Sequence, residues 1–147
     1  MTPEATFATR RGRMEISVLD GSPPVLRVMS RGWVGPTLIR QDLAHATAFG
    51  RDHPEGWVYV VDPTDVVPNP VNVVYLKAIS RLPNVRGYLV VARRRPMRTM
   101  ARLLSRVGGP DRVFASEAEA LAYATEGIGA VGLRGRRAGR GTSSSGG

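Results

Sequence analysis

Two short runs with no charged side chain, Trp57–Val61 and Gly87–Val91, constrain this chain more than any other feature. Both are dominated by β-branched and aromatic residues, and neither alternates between apolar and polar. A strand of that kind is buried on both faces, as in the middle of a parallel sheet. Between the two runs, Val71, Val74, Tyr75, Ala78, Ile79 and Leu82 recur at helical spacing. Strand, helix and strand in that order imply a parallel pair joined by a right-handed crossover.

The remaining segments extend the pattern. Met14–Leu19 and Val25–Met29 flank the turn Asp20-Gly21-Ser22-Pro23-Pro24, which predicts a hairpin. Leu38, Ile39, Leu43, Ala46 and Phe49 mark one face of a helix ended by Gly50. Asn69 and Pro70 suit the cap and first turn of the 71–82 helix. Pro96 suits the first turn of another, which runs through Val107 to a cap at Gly108. Val113-Phe114 is a brief strand, and Ser116 with Glu119 opens a last helix as a capping box. The expected fold is α/β, a mixed sheet in the order β-β-α-β-α-β-α-β-α with its helices mainly on one face.

With 147 residues there is room for one domain, which typically takes roughly 100–200 residues. Charge divides the chain further. The net charge is +9, of which Arg10, Arg11 and Arg13 against Glu4 supply +2 within residues 1–13. Arg134, Arg136, Arg137 and Arg140 supply +4 within residues 128–147, leaving +3 for 14–127. The expected organisation is a basic N-terminal tail (1–13), a domain (14–127) and a disordered Arg/Gly/Ser tail (128–147). No cysteine is present, which excludes disulfides and thiolate chemistry. No apolar run approaches the ~20 residues that span a bilayer, so a cytoplasmic setting is expected.

Within this order, two segments are specific. One is the apolar strand that ends in Asp62-Pro63-Thr64; the other is Arg112–Leu121, a short strand followed by Ser116, Ala120 and Leu121. Together they resemble the STAS-like superfamily, the fold of anti-sigma-factor antagonists, over about Met14 to Gly127. The resemblance implies a bacterial regulatory scaffold whose partner is another protein. In signalling members, a serine at the start of the helix after the first buried strand is phosphorylated by a partner kinase. The corresponding stretch here is Asn69-Pro70-Val71-Asn72, with no hydroxyl, and the nearest candidate is Thr64. The resemblance therefore supplies the scaffold without its usual switch.

Side chains that carry chemistry are few. Asp62 and Asp65 follow a parallel strand, where open α/β sheets bind ligands, but no third acidic ligand lies near them in sequence. His45 and His53 lack metal-ligand spacing and are read as surface residues. There is no Gly-x-Ser-x-Gly elbow and no phosphate-binding Walker loop. Gly127-Ile128-Gly129-Ala130-Val131-Gly132 has the letters of a dinucleotide fingerprint but follows a helix, where its amides have no helix to open. The chain is accordingly expected to be non-enzymatic, without cofactor or metal.

Two surfaces remain as candidates. The first is a partner surface of Asp62, Thr64, Asn69, Asn72, Val73 and Leu76, because Val73 and Leu76 fall off the main stripe of their helix. The second is an anion-binding face of Arg94, Arg95, Arg98, Arg102 and Arg106, within the basic region Arg93–Arg112 and aided by the C-terminal tail. A polyanion such as nucleic acid suits that face, although no aromatic side chain stands there for base stacking. An apolar small molecule or lipid between helices and sheet is a third reading, and a homodimer is compatible with each.

Overall fold

Trp57–Val61 sits at the centre of the sheet with every side chain fully buried. The computed structural model describes residues 3–67 and 69–127, without the side chains of residues 64 and 127. The strands are β1 (Ala5–Ala8), β2 (Gly12–Leu19), β3 (Val25–Gly32), β4 (Trp57–Val66), β5 (Val85–Val91) and β6 (Arg112–Phe114). The helices are α1 (Pro36–Asp52), α2 (Pro70–Ala78), α3 (Arg95–Ser105) and α4 (Glu117–Ala122). A 3-10 turn, Ile79–Arg81, continues α2, and a π-turn, Tyr123–Gly127, continues α4.

The strands lie in chain order, β1 to β6. The first three pair antiparallel, and β3 to β6 pair parallel. Strand parity assigns the two faces. Met14, Ile16, Leu26, Val28, Trp57, Tyr59, Val61, Tyr88 and Val90 point to one side. There they meet Leu38 and Phe49 of α1, Tyr75 and Leu76 of α2, and Met97 and Ala101 of α3. Val25, Val58, Val60, Leu89 and Val91 point to the other, against Ala120 of α4 and Ala124. Three helices on one face and one on the other is the expected mixed α/β arrangement.

One expectation fails at the N-terminus. Residues 1–13 were expected to form a tail, but Ala5–Ala8 forms a sixth strand paired with Arg13–Ile16. Ala5 and Phe7 pack on the main core, and this burial holds the segment in place. Arg10 and Arg11 are exposed in the hairpin turn, where Thr9 Oγ1 accepts from Gly12 N–H at 3.1 Å. Residues 128–147, expected to be disordered, lie outside the described residues.

Candidate functional site at the strand ends

The loops after β3 and β4 are stitched together. Val67 N–H donates to Gly32 O at 2.8 Å, and Trp33 N–H donates to Arg11 O at 2.9 Å. Val34 O accepts from both Asn69 Nδ2 and Asn72 Nδ2, each at 3.3 Å. The same two asparagines cap α2 reciprocally. Val71 N–H donates to Asn69 Oδ1 at 2.9 Å, and Asn69 N–H donates to Asn72 Oδ1 at 3.0 Å. Gly12 permits the close approach of the third loop, because a Cβ there would lie 2.0 Å from Trp33 O.

These contacts hold Trp33 and Val67 at the surface, 39% and 50% exposed, with Val74 of α2 at 68%. Neither Trp33 nor Val67 was among the expected site residues. A tryptophan bracketed by Gly32 and Gly35 in a loop was the available signal.

The predicted partner surface is only partly at the surface. Leu76 is 3% exposed and belongs to the core, and Asn72 is 6% exposed with its amide committed to Val34 O. Both were expected as contact residues. The helix is turned so that Asn72, Tyr75, Leu76 and Ile79 face inward, which leaves Val74 outward in place of Leu76. Val73 and Asn69 are half-buried. Asp62 is 3% exposed and accepts from Arg93 Nη2 at 3.1 Å, while the more open Asp65 faces Arg94 at 3.8 Å. Each carboxylate thus meets its own guanidinium. The backbone of Thr64 lies within β4.

The basic region is likewise thinned by intramolecular contacts. Arg98, expected in the anion face, donates from Nε to Ala92 O at 3.1 Å and from Nη2 to Arg93 O at 3.0 Å. It closes the end of β5 instead of facing outward as an open cation. Arg112 lies over the rings of Phe114 and Tyr123, with its Cζ 5.7 and 4.8 Å from the centroids. Arg95, Arg102 and Arg106 remain exposed. The histidines, expected at the surface, are half-buried. His53 Nδ1–H donates to Phe49 O at 2.8 Å, and His45 packs edge-on to Phe7.

Beneath the surface lies a polar cluster that the sequence reading did not single out. Asp42 of α1 is fully buried and accepts from Tyr59 Oη at 2.5 Å and from Tyr75 Oη at 2.6 Å, both at Oδ2. The two tyrosine hydroxyls also meet each other. Asp42 Oδ1 has no partner among the described residues. Burial pushes the Asp42 carboxyl up to about 6, against the opposing hydrogen bonds from Tyr59 and Tyr75 and the charge of His45. Burial also drives Tyr59 and Tyr75 well above the usual phenol range, and the carboxylate beside them adds to it. The cluster pins α1, β4 and α2 together.

A cavity of about 20 Å³ lies between Ser30, Val34, Asn72, Tyr75, Leu76 and Met97. It has room for about one water molecule and is too small for a lipid or a typical small ligand. Among the described residues, no group of three His, Cys, Asp or Glu side chains is placed to hold a metal ion. None of the described helices is long and apolar enough to cross a membrane.

No protein-family model matches the chain, and no curated protein matches it in sequence. Solved structures do match. A crystal structure of an anti-sigma factor antagonist from Mycobacterium paratuberculosis superposes with a TM-score of 0.55 at 22% identity, covering 76% of this chain and 93% of that one. An uncharacterised Shewanella loihica protein with a SpoIIAA-like fold superposes with a TM-score of 0.61 at 9% identity, covering 80% and 98%. The chain, with three antiparallel strands leading into a parallel series, thus has a STAS/SpoIIAA-like fold.

Proposed function

We propose that this chain is a non-enzymatic regulatory domain that docks a protein partner at the carboxyl ends of β3 and β4. The observation that carries this reading is the exposed pair Trp33 and Val67, held on two loops fastened to each other through Gly32 O and Val34 O. Trp is among the residues that most often dominate binding energy, and rigid presentation lowers the cost of docking. The proposed surface also takes in the exposed Val74 and the half-buried Asn69 and Val73 of the α2 region, with the exposed Asp65 at the end of β4.

The anti-sigma factor antagonist among the structural matches supports a partner of the anti-sigma-factor kind, and a cytoplasmic setting belongs to the same proposal. Asn69–Asn72 offers no hydroxyl, so a phosphate at the start of α2 plays no part in this proposal.

The test is affinity capture from the native organism with the full chain and with Trp33→Ala, each checked by thermal melting. The expected result is a protein retained by the parent chain and lost with Trp33→Ala at unchanged melting temperature. Equal retention by both chains overturns the reading.

A further inference from the structure

No acidic residue lies between Asp65 and Asp111, and the same span carries nine basic ones. Within it, the described contacts account for Arg93 and Arg94 by carboxylates and for Arg98 by backbone carbonyls. Arg95, Arg102 and Arg106 make no ion pair among the described residues. At about 100° per residue, positions 95, 102 and 106 fall within roughly 40° of one another, on the side of α3 opposite Met97, Ala101 and Leu104. Leu103 flanks this row, about 80° round the helix from Arg95, and Val107 follows just past the end of α3; they are 58% and 60% exposed.

The row is at odds with its own helix. Arg102 and Arg106 at the C-terminal end suit the macrodipole, but Arg95 stands at the N-terminal end, and the first turn holds no acid. An external carboxylate would relieve that conflict. The exposed leucine and valine decide between anions. Phosphate backbones have no use for apolar side chains, whereas an amphipathic protein segment buries them.

We propose that the outer face of α3 docks an acidic amphipathic segment of a partner protein, whose carboxylates pair with Arg95, Arg102 and Arg106 while its apolar side chains cover Leu103 and Val107. This surface does not rest on the Trp33 reading, and its failure leaves that reading intact.

The test uses the full chain, so that residues 128–147 are common to every variant. The probe is a fluorescein-labelled helical peptide with Glu at positions i, i+4 and i+7 and Leu beside them. Oligothymidylate and phosphatidylserine vesicles serve as competing anions. Binding is followed by anisotropy at about 50 and about 150 mM salt. The triple variant Arg95→Glu, Arg102→Glu, Arg106→Glu is expected to weaken peptide binding roughly tenfold or more. Leu103→Ser with Val107→Ser is expected to weaken it about fivefold at both salts and to leave oligothymidylate binding unchanged.

Arg95→Glu alone separates docking from stability. Its melting temperature is expected to hold or rise, because an acid suits a helix N-terminus, while peptide affinity falls. The proposal is overturned if the peptide does not bind or if these variants leave its affinity unchanged. Tighter binding of oligothymidylate or vesicles than of peptide also overturns it, as does a fall in melting temperature that accompanies the loss of affinity in Arg95→Glu.

Discussion

Asp42 of α1 and Tyr75 of α2 share a 2.6 Å hydrogen bond inside the core, so the helix beside the candidate surface is anchored to a buried acid. Asp42 binds its proton more tightly in the folded state, about 6 against an ordinary 3.8. The stability that this carboxyl contributes is therefore fully present below about 3.8 and is lost as pH rises through 6. From the shift, the loss between pH 4 and pH 7 is about 2 kcal/mol. Urea unfolding of the parent chain and of Asp42→Asn across that range is the measurement. The parent is expected to show this decline superimposed on its other titrations, and Asp42→Asn is expected to lack it.

Leu76 and Val74 are two residues apart on α2 and have opposite exposure, 3% and 68%. Leu76→Ala is expected to cost about 2–5 kcal/mol through lost burial and the cavity left behind. Val74→Ala is expected to stay within about 0.5 kcal/mol. Denaturant midpoints at constant slope distinguish the two, and equal losses would place Val74 in the core.

Glu117 holds α4 to the second face of the sheet. It takes both Nε and Nη2 of Arg27, the latter at 2.9 Å, and lies 3.9 Å from Arg93. The Arg27 side chain is only 12% exposed, so Glu117→Ala strands a largely desolvated guanidinium. The expected cost is about 1–3 kcal/mol. Amide exchange is expected to quicken at Ala120–Tyr123 more than in α1.

The strands at 57–61 and 87–91 were legible because burial on both faces removes alternation, and few other structures do that. Ala5–Ala8 was not legible. It is four residues long, with one large apolar side chain, and the arginines of the following turn resemble a solvated tail. The orientation of α2 was ambiguous for a different reason. Val71, Val73 and Val74 surround the helix, and its inward face was decided by Asn72 reaching Val34, 38 residues away.

Asp42 was partly legible, since it lies four residues from Leu38 and from Ala46 on the buried stripe. Its partners Tyr59 and Tyr75 belong to other elements, and only the assembled sheet brings them to one oxygen. The arginines show the same limit. Sequence counts their charges, but Asp62, Asp65 and two backbone carbonyls decide which of them face solvent unpaired.

The single carbonyl of Val34, which receives amides from Asn69 and Asn72, has a kinetic consequence. A loop whose carbonyl holds two amides from the start of the next helix does not drift independently of it, so a partner docking at Trp33 as proposed would meet a surface already in register. Such docking would require little search through loop conformations, and its rate would be governed by collision orientation and long-range charge. Removing either amide would slow capture before it altered any contact in the complex.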